Sequence, residues 1–431
     1  MPAFLLLALA LPSSVVRHSS LRLTFVLAAN HHTPADVSEN ITSKNPDDIV
    51  ITLAIRTGMC RYNSGQLSDT PLDALVLKIL QQVRERSNLN TALVEDICLG
   101  NVRDGQAAEF GRAAALAAGF PNTTSACRVN RFCSSGLAAT QNIANEIATG
   151  SIDIGIAVGA ESLSTPNTRL DRDFVDEIMQ APNTDARDCM QVMGETSENV
   201  ARDFGISRQA QDEYAVVSNN RAEAAQRAGW FDDEIVPITT TKDGKEVVVD
   251  RDDIRCGTTY DRLSKLRPAF PEHGERSTAG NSSQITDGAA ALLLMKRSKA
   301  LELNQPIVAK YVGTAVAGVP PRIMGIGPVY AIPKLLSRFN LSLDRDIDVV
   351  EINEAFASMA VYCKDKLEID WSKLNPRGGA IALGHPVGCT GARQIVTGLS
   401  ECRRRKKQVL LTSMCMGTGM GMAGLFVNEC L

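Results

Sequence analysis

The chain has 431 residues, 44% hydrophobic and 22% charged, with a formal net charge of −4. That length allows two or three domains with real cores, and the mild negative charge argues against nucleic acid as a partner. Eleven cysteines are scattered without a regular framework or zinc-site spacing, which points to free thiols in a reducing compartment and to no metal.

In chain order, Phe4 to Leu11 is an apolar run of signal-peptide length, too short to span a bilayer and without a basic segment before it. No stable membrane insertion is expected. From Asp48 the pattern becomes regular. Ile49 to Ile55 reads as a buried strand, Leu72 to Arg86 as an amphipathic helix and Val94 to Gly100 as the next strand. A helix from Phe110 to Ala118 ends at Gly119, with Pro121 beyond as a stop signal.

Then comes Val129-Asn130-Arg131-Phe132-Cys133-Ser134-Ser135-Gly136, which closes a loop and opens a helix through Ile147. Leu137, Ala144, Ile147 and Ala148 fall on one face of that helix. A cysteine at such a point is surrounded by free backbone N–H groups and the positive end of a helix dipole. Both favour the thiolate, which is the nucleophile. A packed, unreactive cysteine is the competing reading of this turn taken alone. A strand from Ile152 to Val158 follows.

Residues 165–278 are less regular. They hold Met193-Gly194-Glu195-Thr196-Ser197-Glu198-Asn199, a helix from Arg208 to Ala228 and a polar stretch from Thr239 to Thr259. Insertions this long in a compact chain usually serve function. Beyond Ser277 to Ser283, the earlier order of elements recurs. A helix from Ala331 to Phe339 leads to a strand from Ile347 to Ile352, and the next helix is expected to begin at Asn353 to Ala355. A glycine-rich turn around His385 precedes a helix from Thr390 to Cys402, and the strand Val409 to Thr412 delivers Cys415. The Cys133 and His385 turns thus occupy matching places in two halves, an internal duplication that could bring them together across a pseudo-twofold axis. Alternating strands and helices predict α/β sheets with helices on both faces.

Four stretches carry a stronger signal: Cys133 with its neighbours, Asn353-Glu354-Ala355-Phe356, Asn375 to Arg393 around Gly384-His385-Pro386, and Ser413-Met414-Cys415-Met416-Gly417-Thr418-Gly419. Together, and in this order, they resemble the signature set of the thiolases, most closely the peroxisomal 3-ketoacyl-CoA thiolases. The resemblance runs from about Asp47 to Val427. It implies a duplicated, five-layered αβαβα fold with an inserted loop domain. The domains are then 47–164 with 279–302, the loop domain 165–278 covering coenzyme A, and 303–431. The implied activity is coenzyme A-dependent cleavage of 3-ketoacyl-CoA to acetyl-CoA and a shortened acyl-CoA. Coenzyme A is a co-substrate, no cofactor is bound permanently, and the chain is expected to dimerise with itself.

In this reading Cys133 attacks the ketone, His385 takes its proton, and Cys415 acts as acid and base. The N–H of Gly417 with that of Cys133 forms an oxyanion hole, and Asn353 with His385 holds the enolate oxygen through a water. Ser283 is placed beside the pantetheine. Phe132, where close relatives carry glutamine, is expected to affect acyl-chain fit. Cys60, Cys98, Cys363, Cys389 and Cys402 read as packing thiols, and His18, His31, His32 and His273 lie outside the motifs. Peroxisomal relatives usually carry an N-terminal Arg-Leu, five residues, then His-Leu. Arg22-Leu23 begins that pattern, but Ala29-Asn30 stand where His-Leu should be, and Glu429-Cys430-Leu431 is not a peroxisomal C-terminus. Residues 1–46 therefore read as a loose or removable extension, and the expected location is peroxisomal, otherwise cytosolic. Two other functions stand beside it: acetoacetyl-CoA synthesis by the reverse chemistry, and a non-catalytic lipid-transfer or scaffold role on the same fold, against which the retention of Cys133, His385, Cys415 and Asn353 argues.

Overall fold

A computed structural model describes residues 41–166 and 174–431. The Phe4–Leu11 run, the Arg22-Leu23 pattern, three of the five histidines (His18, His31 and His32) and residues 167–173 of the insertion lie outside the described residues.

The first half runs β1 (Ile49–Arg56), α1 (Leu72–Ser87), β2 (Asp96–Gly100), α2 (Ala107–Ala117), β3 (Ser125–Val129), α3 (Ser135–Thr149) and β4 (Ile154–Glu161). The insertion adds α4 (Met193–Asp203), α5 (Arg208–Arg227) and a hairpin of β5 (Ile238–Lys242) and β6 (Lys245–Val249). The chain returns through β7 (Thr286–Lys296). The second half is β8 (Ala309–Gly318), α6 (Gly327–Arg338), β9 (Val349–Ile352), α7 (Ala357–Lys366), α8 (Thr390–Arg405), β10 (Val409–Met416) and β11 (Met420–Asn428).

Sheet order repeats between the halves. The first is β3-β2-β4-β7-β1 and the second β9-β10-β11-β8, joined where Val50 and Ile51 pair with Lys310 and Ala309. Leu374 makes a parallel bridge to Val350, at the place that β3 occupies beside β2. The strand alternation assigns side chains to layers. On β7, Ala291, Leu293 and Met295 join the core under α1 and α2, while Leu292 and Leu294 join the core around α3 and α8. A third core packs α6 and α7 on the outer face of the second sheet. The result is five layers, α-β-α-β-α, with α3 and α8 in the middle. Burial explains why α8 is enclosed on every side from Thr390 to Cys402. Each large apolar side chain removed from water here contributes roughly 1.5–3 kcal/mol.

Four sequence expectations shift. Ala148 is exposed, because α3 meets the core through Ile143, Ala144 and Ile147 and its last turn extends past the sheet. The strand expected from Val94 starts at Asp96, since Asn90 accepts from the Ala92 N–H (3.1 Å) and caps a short turn over Thr91–Leu93. The strand expected to end at Val158 continues to the buried Glu161. The helix expected from Asn353 begins only at Ala357. There the Ala355 carbonyl accepts from the Ser283 N–H (3.0 Å) and the Ala357 N–H donates to the Asn281 carbonyl (2.8 Å), so a crossing segment takes the groups a helix would use.

The insertion is tied down by buried charge. Arg56 of β1 pairs with Glu234 (2.7 Å) and Asp252 (2.6 Å) of the insertion. Arg377 of the second half reaches Glu234 (3.0 Å) and Glu401 (2.7 Å). The ring of Phe231 lies 5.2 Å from the Arg56 guanidinium and 5.7 Å from that of Arg377. Both halves and the insertion therefore share one network. Among the described residues, no helix is long and apolar enough to cross a membrane.

Candidate active site

The turn before α3 is built by local bonds. Phe132 has φ +48°, a left-handed conformation that costs a bulky residue about 1–2 kcal/mol. Its N–H donates to Asn130 Oδ1 (2.9 Å). Its carbonyl accepts from the Ser135 N–H (3.0 Å) and hydroxyl (2.6 Å), and that hydroxyl accepts from the Arg131 N–H (3.0 Å). The kink turns the Cys133 sulfur toward Gly417, whose N–H favours the thiolate. The Phe132 ring lies over Gly417, such that a Cβ there would stand 3.3 Å from Cδ1, and it packs on the middle core with Met416 and Met420.

Burial pushes the Cys133 thiol up to about 11, while its own N–H and that of Gly417 pull in the other direction. The helix N-terminus and its N–H groups favour the thiolate, but loss of water outweighs them and the thiol is the resting form. At neutral pH roughly one molecule in ten thousand would carry it, so a base has to take the proton as the sulfur attacks.

The second turn carries an imidazole. His385 is buried, and its N–H donates to the Gln284 carbonyl (2.8 Å). Nδ1 meets Thr390 Oγ1 at 2.6 Å, and Nε2 lies 3.4 Å from Asn353 Nδ2. With Nδ1–H donating to Thr390, Nε2 keeps its lone pair. Burial, reinforced by Arg393, lowers the imidazole to about 4, which keeps it neutral and able to accept. Asn353 is fixed by its N–H to the Ser413 carbonyl (3.0 Å), and its buried Oδ1 has no hydrogen-bond partner among the described residues.

Cys415 lies on β10, with Sγ 3.3 Å from the Met359 thioether. Burial drives its thiol well above the ordinary value, and the neighbouring Cys133 and Cys363 act in the same sense. Cys133, Cys415 and Gly417 thus meet, as do His385 and Asn353. Ser283 joins this region by its backbone, next to the Gln284 that anchors His385. Cys60, Cys98, Cys363, Cys389 and Cys402 are all buried and free, as packing thiols should be.

Sequence reasoning missed the supports. Glu354 accepts from Tyr214 (3.2 Å), Ser218 (2.6 Å), Asn375 (2.8 Å) and the Ile381 N–H (3.0 Å), which pins the start of the His385 turn. Glu161 holds its end (Gly388 N–H, 2.9 Å). Glu161 had a signal, since it closes the otherwise apolar run Ile154 to Ala160. Thr390 had none beyond its place five residues after His385.

The sequence and fold match known proteins over most of the chain. The thiolase N-terminal domain matches residues 49–298 and the thiolase C-terminal domain residues 305–428. The chain is 48% identical over 418 residues to the peroxisomal 3-ketoacyl-CoA thiolase of Yarrowia lipolytica, covering 95% of this chain and 100% of that protein. The dimeric peroxisomal thiolase of Saccharomyces cerevisiae superposes with a TM-score of 0.85 at 44% identity, over 91% of this chain and 100% of that one. An acetyl-CoA acetyltransferase of Bacillus anthracis follows, with a TM-score of 0.80 at 37% identity over 90% and 100%. The chain belongs to the thiolase family.

Proposed function

We propose that this protein is a peroxisomal 3-ketoacyl-CoA thiolase of fatty-acid β-oxidation, working as a homodimer with coenzyme A as co-substrate. The observation that carries the reading is the meeting of Cys133 with the strand end that bears Cys415 and, two residues on, the Gly417 N–H. One strand end thereby supplies both an oxyanion donor and a second thiol to the nucleophile.

The chemistry then runs as follows. His385 Nε2 takes the Cys133 proton while the sulfur attacks the C3 ketone. The C2–C3 bond breaks, its electron pair enters the acetyl-CoA enolate, and Cys415 protonates that carbon. The acyl group stays on Cys133 as a thioester, its oxygen facing the N–H groups of Cys133 and Gly417. The Cys415 thiolate next takes the proton of incoming coenzyme A. The new thiolate attacks the thioester, and Cys133 leaves and recovers its proton from His385. Asn353 and His385 hold the enolate oxygen. The insertion, residues 165–278, covers the coenzyme A arm, with Ser283 beside the pantetheine, and the two core domains are 47–164 with 279–302 and 303–431.

The test is a purified-enzyme assay with short, medium and long 3-ketoacyl-CoAs plus coenzyme A, following loss of the substrate and appearance of acetyl-CoA. Cleavage across the series is expected. Turnover confined to acetoacetyl-CoA would assign the chain to acetyl-CoA acetyltransferase chemistry, and no cleavage at any length would reject catalysis.

A further inference from the structure

Beside the two turns lies a buried carboxylate that none of these steps uses. Glu161 ends β4 and is fully buried. Its Oε1 accepts from Asn101 Nδ2 (3.0 Å) and the Arg103 N–H (2.9 Å), and its Oε2 from the N–H groups of Val102 (3.0 Å) and Gly388 (2.9 Å). Three of these donors follow β2 in the first half, and the fourth belongs to the His385 turn of the second. We infer that Glu161 is a positioning residue that holds the base turn against the nucleophile turn, an inference resting on the reading of His385 as the base for Cys133.

Each end of this link reaches a reacting group in a few bonds. On one side, the Val102 carbonyl accepts from Arg128 Nη2 (3.0 Å) and Asn130 Nδ2 (3.3 Å). The Asn130 amide oxygen in turn holds the N–H of Phe132, the strained residue before Cys133. On the other side, Gly388 lies between His385 and Thr390, whose hydroxyl meets His385 Nδ1. The approach demands glycine at 388. A Cβ there would stand 2.8 Å from Glu161 Oε2 and 2.9 Å from both the Asn101 Cα and the Gly100 carbonyl oxygen. Burial pushes Glu161 up to about 7, and the backbone N–H groups of Arg103, Gly388 and Val102 work against it, two donors on each oxygen suiting an acceptor-only carboxylate. Glutamine would turn an NH₂ group onto two of those donors. Burying a carboxylate without a full charge partner is costly, and a well-packed apolar residue would usually stabilise the fold at least as well. Positioning accounts for the charge where stability does not.

Kinetics and hydrogen exchange test this separately. In Glu161→Gln, kcat should fall about 10–100-fold through misplacement of reacting groups, with KM for acyl-CoA and coenzyme A changed by less than about twofold. Glu161→Asp, which restores the acceptors on a shorter arm, should recover part of the loss. A Gln variant with kcat within about twofold of wild type would overturn the proposal. Should the variant not fold, the wild-type protein decides. The amides of Val102, Arg103 and Gly388 share one carboxylate, so in a mild denaturant series their protection should be lost together. Opening of one segment at clearly lower denaturant than the other would reject the link. Failure of the underlying reading looks different: full turnover in His385→Ala would remove the base but leave the exchange result unchanged.

Discussion

From Val129 to Ser135 the first half passes from strand to helix in one tight turn, whereas the second half takes the whole stretch from Leu374 to Thr390 to make the same passage. The short turn is supported mainly from within: Asn130, Arg131, Phe132 and Ser135 bond to one another, Asn130 also reaching the Val102 carbonyl (3.3 Å), and a non-glycine residue bears the left-handed conformation. The long turn uses glycine at two of its three positive-φ positions, Gly378 (φ +78°) and Gly384 (φ +98°), with Asn375 (φ +40°) at the third, and depends on remote carboxylates at both ends. Topology made the two turns equivalent, yet one places a thiol by local bonds and the other an imidazole by distant anchors. Damage to the first should appear mainly in chemistry, and damage to the second also in folding.

The largest effects separate the two thiols that meet at these turns. Cys133→Ala should abolish acylation and every later step. Cys415→Ala should still accept an acyl group, while carbon–carbon cleavage falls by about 10²–10⁴-fold, the usual share of a general acid–base group. Intact-mass spectrometry after mixing with acetyl-CoA should show one acetyl group on Cys415→Ala and none on Cys133→Ala. An acetyl group mapped to Cys415 in the wild type would reverse the roles.

Next comes folding. Glu354→Ala strands four buried donors around the long turn, each costing about 1–3 kcal/mol when left unpaired, so a total loss of several kcal/mol is expected. Asn130→Ala, at the exposed edge of the short turn, should cost only about 1 kcal/mol. Urea unfolding of both variants measures the contrast, and equal losses would break it.

A pH effect of intermediate size on the acid side belongs to His385 of the long turn. Its imidazole titrates near 4 in the folded protein, below the ordinary 6.5. As pH falls from about 6.5 to about 4, the unfolded chain takes up a proton that folded His385 refuses, so stability drops through that window by roughly 3 kcal/mol. His385→Gln should lose that share of the acid sensitivity, read as the difference in urea midpoints between pH 7 and pH 4.5. The same depression means that His385 should contribute no inflection near 6.5 to kcat/KM of the wild type. An inflection there that vanishes in no other variant would place His385 in a wetter setting than the structure gives it.

How much of this was legible in the sequence follows the same division. The strand runs, the helices and the repeated order could be read because buried strands and amphipathic faces leave periodic traces. Cys133, His385, Asn353 and Cys415 stood in compact motifs. Glu354 was inside one of them, but nothing in a linear pattern says that its carboxylate gathers donors from a helix more than a hundred residues earlier (Tyr214 and Ser218). The start of α7 was misplaced for a related reason, because a crossing strand claimed its first backbone groups. The upward push on the Cys133 thiol was not legible because dipole and N–H donors are local and visible, while burial depends on everything that packs around the turn.

Phe132 gives the smallest and sharpest test. Its place before the nucleophile suggested a ring lining the acyl chain, in which case Phe132→Gln would change relative rates across chain lengths. The ring instead lies on Gly417 and on the middle core, close to the donor that every acyl-enzyme would use whatever its length. The backbone strain is carried at the same residue, and glutamine must bear it too, so the short turn should keep its shape while the cover over Gly417 becomes smaller and polar. The expected outcome is a loss of about threefold to tenfold in kcat/KM, equal to roughly 1 kcal/mol and of the same size for short, medium and long substrates. Rates that diverge with chain length would instead put the ring in the acyl path, and the short turn would then select substrate as well as hold the thiol.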